Sequence, residues 1–235
     1  MARVIFLAAL SRSISKAMTD ESFKIINDSG YPLQIAVGNA VSATTREHGW
    51  TVRYIEHSWA NQNGSRGFID LILQDKHRST FLIVECKRVR NSTWAFMHVD
   101  GKTGNRYHAK SWASYYSGGR MKSFNWRDVT LDPSSPEAGF CAIRGQSAGD
   151  RNTIIERVGG ELISATEAFA AEERDFREES TDCLRLYFNV IVTTASLSLA
   201  AFSPDDISLA DGTLARASFQ PVPFIRFRKQ MSEQA

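Results

Sequence analysis

The sequence predicts an α/β fold, a mixed central sheet flanked by helices, and three observations predict it. Residues 67–87 read as a β-hairpin, with apolar and partly β-branched runs at 68–73 and 81–86 around a polar turn at 74–80. Segments 27–48 and 152–176 carry apolar residues at helical spacing. Residues 184–199 give a further strong strand signal, too long for one strand and expected to break near 194–196. With 235 residues, 43% of them hydrophobic, the chain can bury one proper core, so 1–235 is read as a single domain with an insertion at about 88–145.

In chain order, residues 1–20 hold a short apolar run at 4–10, too short for a membrane span and without a convincing cleavage site, and are expected to pack as a helix or strand at the domain edge. The next helix has Asp28 and Ser29 as candidate caps, Pro32 near its first turn and Gly49 as its stop. Its apolar face is Leu33, Ala36, Val37, Ala40 and Val41, with Gln34 on the flank. Residues 50–57 alternate as a strand, and the polar turn 60–65 leads into the hairpin.

The hairpin carries the chemistry. Side chains alternate along a strand, so Glu85 and Lys87 point one way while Val84 and Cys86 point the other. Asp70 is a lone charge among Phe68, Ile69, Leu71, Ile72 and Leu73, costly unless paired or metal-bound. Pairing the two strands brings it beside Glu85, giving two carboxylates and a lysine in one place.

Beyond Lys87 the charge is segregated although the net charge is only +2. Residues 87–127 hold nine Lys or Arg against one acid, and 156–182 hold nine acids against three Arg. The basic stretch interleaves Trp94, Phe96, Tyr107, Trp112, Tyr115, Tyr116, Phe124 and Trp126 with Lys102, Arg106 and Lys110. Such a segment either stacks bases and meets phosphates or forms a small aromatic core of its own. Arg144 and Gln146, just ahead of the second long helix, are candidate phosphate contacts. In that helix Gly159 and Gly160 suggest a kink or a close approach to the sheet, and the acids at 172–179 read as a solvated helix end. Residues 223–229 suit a late edge strand with a basic rim.

Asp70, Glu85 and Lys87 together resemble the PD-(D/E)xK signature of restriction-endonuclease-like nucleases, with Ile69 in place of the usual proline before the Asp. The resemblance implies an αβββαβ core over roughly 30–200 and Mg²⁺, with Mn²⁺ as substitute, held by Asp70, Glu85 and the backbone carbonyl of Cys86. It implies that Lys87 orients the attacking water or neutralises the phosphate, and that Gln34 stands where the first helix of the family often brings a carboxylate. The function so implied is Mg²⁺-dependent hydrolysis of phosphodiester bonds in DNA, as an endodeoxyribonuclease, with Lys102, Arg106, Lys110, Arg144 and Gln146 on the substrate. Two alternatives stay open: a catalytically degenerate nucleic-acid-binding module, and an interaction component of a defence or mobile-element system. Expected partners are nucleic acid, DNA above all, and no membrane, with a homodimer left open. Cysteines 86, 141 and 183 form no CxxC pair, which points to a reducing, cytoplasmic setting and away from structural zinc.

Overall fold

The computed structural model describes residues 16–99, 106–143, 153–175 and 182–228. Helices α1 (Lys16–Asp28), α2 (Tyr31–Ala43) and α3 (Thr45–His48) come first, followed by β1 (Thr51–Ala60), β2 (Arg66–Gln74) and β3 (Thr80–Lys87). Strands β4 (Thr93–Val99), β5 (Arg106–Ser117), β6 (Arg120–Ser135), β7 (Glu137–Ala138) and β8 (Phe140–Ile143) precede the long helix α4 (Ile154–Asp175). Strands β9 (Cys183–Thr193), β10 (Ser196–Phe202), β11 (Ser218–Pro221) and β12 (Arg226–Phe227) complete the order.

Local chemistry sets the helix boundaries. The single helix expected over 27–48 is divided, because Gly30 takes the left-handed conformation at φ 84° between α1 and α2. Pro32 sits in the first turn of α2, where its missing N–H leaves no intrahelical bond unmade. Gly49 is the left-handed stop that the sequence suggests, at φ 76°. Asp28 ends α1 and pairs with Arg88 and Arg90 instead of capping α2. The apolar run at 4–10 lies outside the described residues. Helix α4 opens on a reciprocal cap: Thr153 N–H donates to Glu156 at 2.9 Å, and Glu156 N–H to Thr153 Oγ1 at 3.3 Å. It then runs unbroken through Gly159, beside which a Cβ would meet nothing within 4 Å, so that glycine marks no close approach to the sheet.

Six strands form the central sheet in the order β1-β2-β3-β9-β5-β6. It is mixed, as expected: β3 and β9 run parallel and the other neighbours antiparallel. Alternation on β3 and on β2 from Leu71 onward splits the core, and it breaks at Asp70, where the ladder with β3 ends, so that Ile69 joins Ile72 on the same face. Leu71, Leu73, Val84 and Cys86 are covered by Leu33, Val37 and Val41 of α2, whereas Ile69, Ile72, Phe81 and Ile83 meet Val158, Leu162, Ala165 and Phe169 of α4. A helix therefore lies on each face, and the fold is α/β with a mixed sheet.

The segment read as an insertion supplies strands. β5 and β6 widen the central sheet, while β4 and β8 join β10 and β11 in a second sheet of order β11-β10-β4-β8. Its aromatics are largely used in packing: Trp94 and Phe96 are 2% and 1% exposed, Tyr116 is buried, and Trp112 and Phe124 cover the α4 side of the core. The parallel pair β3–β9 continues into the parallel pair β4–β10, both chains turning at one level, where Thr194 Oγ1 bonds both Val89 C=O at 2.8 Å and Val89 N–H at 2.9 Å. The expected break near 194–196 is this turn. The late edge strand shrinks to Arg226–Phe227 against β7. No helix among the described residues is long and apolar enough to cross a membrane.

Candidate active site

The β2–β3 ladder runs from Gln74↔Phe81 to Leu71↔Val84 and stops there. The next pair in register would be Asp70 and Glu85. At this step two side-chain hydrogen bonds tie the strands and helix together. Asp70 Oδ2 accepts from the Cys86 N–H at 2.7 Å, and Gln34 Nε2 on α2 donates to the Asp70 carbonyl at 2.9 Å. Gln34 is only 4% exposed. Its amide nitrogen is thus committed to the backbone of Asp70, and its contribution here is to fix that residue where the strand leaves the ladder.

On β3 the predicted alternation holds. Val84 and Cys86 lie under α2, while Glu85 and Lys87 share the other face, with Nζ 2.5 Å from Glu85 Oε1. The side chains of Glu85 and Lys87 keep 16% and 29% of their surface, enough for a ligand to reach them.

Burial pushes the Asp70 carboxyl above its ordinary 3.8, against the pull of the Cys86 N–H, and the charge of Glu56 pushes the same way. Burial likewise raises Glu85 above 4.5, opposed by Lys87 and reinforced by Asp70 and Glu161. The Cys86 thiol is driven up to about 12 by burial and by the two carboxylates, so it stays protonated and is no nucleophile. Glu56 and Glu161 were not singled out from the sequence. Register would have found Glu56, since Ile55↔Leu71 and His57↔Ile69 leave it opposite Asp70. Periodicity gives the buried stripe that includes Leu162, but that its exposed neighbour Glu161 comes near Glu85 depends on how α4 lies across the sheet.

A raised carboxylate has a signature in stability. Between the unfolded and folded pKa values the unfolded chain binds fewer protons, so stability falls as pH rises through that window. The cost is absent well below pH 3.8 and present at neutral pH. Asp70→Asn keeps an oxygen for the Cys86 N–H but removes the charge. In EDTA it is expected to raise Tm at pH 7 by roughly 2–4 °C for each kcal/mol recovered, the gain vanishing in acid. Melting curves of both proteins across pH check this, and an equal or lower Tm at pH 7 would refute it.

Lys102, Arg144 and Gln146 lie outside the described residues. Arg106 opens β5, and Lys110 further along that strand pairs with Asp128 of β6 at 3.0 Å. β9 separates β5 from β3, so Lys110 is not in the immediate setting of the carboxylates.

Beside Glu85 a cleft of about 460 Å³ opens between α4 and the end of the β1–β2 hairpin, lined among others by Trp59, Arg66, Phe68 and Glu161. A larger hollow, about 780 Å³ at β10 and β11, shares no residue with the carboxylate cluster. Among the described residues no three His, Cys, Asp or Glu side chains converge as a metal group. Comparison with protein-family models, with curated proteins and with solved structures gives no match to this chain.

Proposed function

We propose that the protein is a Mg²⁺-dependent nuclease that hydrolyses phosphodiester bonds in DNA on a restriction-endonuclease-like core. The observation that carries this reading is the pair of desolvated carboxylates, Asp70 and Glu85, at the point where β2 leaves β3, with Lys87 against Glu85. Two hard oxygens held at mutual electrostatic cost fit Mg²⁺, which binds proteins through one or two carboxylates and keeps several waters. Asp70 and Glu85 would hold the ion, with the Cys86 carbonyl as the further protein oxygen. When bound, it supplies charge neutralisation on the phosphate and an acidified water.

The chain's own groups do the rest. Gln34 and the Cys86 N–H hold Asp70 in place from opposite ends, its carbonyl and its carboxylate. Lys87 keeps an ammonium on the face of Glu85, where it can donate to a phosphate oxygen or to the attacking water. In hydrolysis the water oxygen bonds to phosphorus as one of its O–H bonds breaks, the P–O bond to the leaving sugar oxygen breaks, and that oxygen takes up a proton in place of the one the water gave to solvent.

One observation favours a degenerate, binding-only protein: both carboxylates already have protein partners, Lys87 for Glu85 and the Cys86 N–H for Asp70. Incubating the protein with linear, circular and single-stranded DNA in Mg²⁺, Mn²⁺ or EDTA separates the readings. Cleavage in either metal and none in EDTA is the expected result. Intact DNA in all three, with no rise of Tm on adding metal, would leave the binding-only reading.

A further inference from the structure

The chain leaves β3 through a run of cations. Lys87 ends the strand, and Arg88 and Arg90 follow it with no acid between them. The two arginines converge on a single carboxylate. Asp28, at the C-terminal end of α1, pairs with Arg88 at 3.5 Å and with Arg90, and Arg88 also donates to the Asn27 carbonyl. Two guanidinium groups on one carboxylate leave a positive charge unmatched. The contact is also easily given up. Arg90 keeps 59% of its side-chain surface and Asp28 43%, a setting in which water and salt screen an ion pair. Residues 21–28 of α1 are all exposed, Phe23, Ile25 and Ile26 among them, so Asp28 can leave the arginines without uncovering a core.

Position matters as much as charge. Asp70 rests its carboxylate on the Cys86 N–H at the fork between β2 and β3, so the carboxylate pair opens at the end of the sheet. Arg88 and Arg90 leave the chain at that same end, just past Lys87. Lys87 stands on the α4 face, whereas the arginines reach α1, which leads into α2 on the other face. A polyanion crossing the end of β3 from one face to the other meets Lys87 and then the arginines. At about 3.3–3.6 Å per residue the run spans at most about 11 Å, over which one DNA strand carries about three phosphates, one per about 3.4 Å of helix axis.

We propose that Arg88 and Arg90 hold the phosphates flanking the bond that the carboxylates address, and that Asp28 occupies both arginines in the free protein in place of phosphate. The inference rests on the nuclease reading above and names the residues that take the DNA backbone beside the site. A guanidinium presents the same forked donors to carboxylate and to phosphate, so Asp28 and a phosphate oxygen compete for one set of N–H groups. Apparent affinity for DNA then scales with the fraction of molecules whose arginines are free of Asp28.

The test is binding of a short linear DNA duplex in EDTA over a range of salt, where hydrolysis does not intervene. The proteins titrated are the wild type, Asp28→Asn, the double variant Arg88→Ala/Arg90→Ala and the triple variant that combines them. Glu21→Gln, at an exposed position of α1, controls for the loss of one negative charge from the same helix. Asp28→Asn is expected to bind about 3–10-fold tighter than wild type, and Glu21→Gln less than about 2-fold tighter. The double variant should bind at least about 10-fold more weakly, with the slope of log K against log salt smaller by about 1.8, two contacts at about 0.9 each. In the triple variant the gain from Asp28→Asn should vanish, because the groups it frees are gone. Melting curves check folding, and if the double variant does not fold, Arg90→Ala at its exposed position carries the same comparison with half the change in slope. Asp28→Asn no tighter than Glu21→Gln, a gain that persists without the arginines, an unchanged salt slope or no DNA binding at all overturns the proposal. The two readings fail separately. The expected binding without cleavage in Mg²⁺ removes the nuclease and keeps the phosphate site, whereas cleavage with Asp28→Asn and the arginine variants binding as wild type removes the phosphate site and keeps the nuclease.

Discussion

Alanine at Asp70, at Glu85 or at Lys87 is expected to abolish cleavage while the protein stays folded and still binds DNA. Groups that merely support a metal ligand typically contribute about 10–100-fold, so loss of a ligand or of the cation beside it should exceed that. Stability moves differently at the three positions. Asp70→Ala removes a raised carboxylate but leaves the Cys86 N–H without its acceptor. Lys87→Ala leaves Glu85 half-buried without its partner, and Glu85→Ala frees Lys87 at a position that keeps 29% of its side-chain surface. None of these reaches the hydrophobic clusters that α2 and α4 make with the sheet, so the melting transition should remain cooperative in each. Single-turnover cleavage and DNA-binding titrations on the same preparations check the result. A rate above about a tenth of wild type in any one variant would remove that residue from the machinery, because even a supporting group usually costs that much.

The grouping of Asp70, Glu85 and Lys87 was legible because its signal is local. Asp70 interrupts an apolar strand, and Glu85 and Lys87 end another, so strand alternation alone puts the lysine beside the glutamate, as the 2.5 Å contact shows. Gln34 was reachable too, as the amide on the flank of the first apolar stripe, although its bond goes to the Asp70 carbonyl. Glu56 and Glu161 depend on the register of β1 against β2 and on how α4 lies across the sheet, which a single strand pattern does not encode. β5 was hidden for another reason. It is flanked by β9 and β6, and its buried positions include Ser111, Ala113 and Ser114, so it lacks the branched apolar run by which a central strand is recognised. Glu173 was misread as part of a solvated helix end. It is 3% exposed and bonded to Arg53 at 2.8 Å and Arg185 at 3.0 Å, partners that come from β1 and β9 and are distant in sequence.

Phe169→Ala is expected to show the opposite pattern, a large loss of stability with the chemistry intact. Phe169 is fully buried on α4, edge-on to Phe81 at 5.8 Å, to Tyr187 at 6.0 Å and to His57 at 5.3 Å. It joins β1, β3 and β9 to the helix, so no single neighbour can move in to fill the space without opening another contact. Truncating such a phenylalanine typically costs about 3–5 kcal/mol, and at roughly 2–4 °C per kcal/mol for a chain of this size Tm should fall by about 6–20 °C. The ring lies about two turns of helix beyond Glu161, and its ring partners are Tyr54, His57, Phe81 and Tyr187. Assayed well below its own Tm, the variant should therefore cleave at close to the wild-type rate with an unchanged metal dependence. If the rate collapses at temperatures where circular dichroism shows native protein, then the position of α4 against the sheet is itself part of the catalytic geometry, and the wall that carries Glu161 is more than a support.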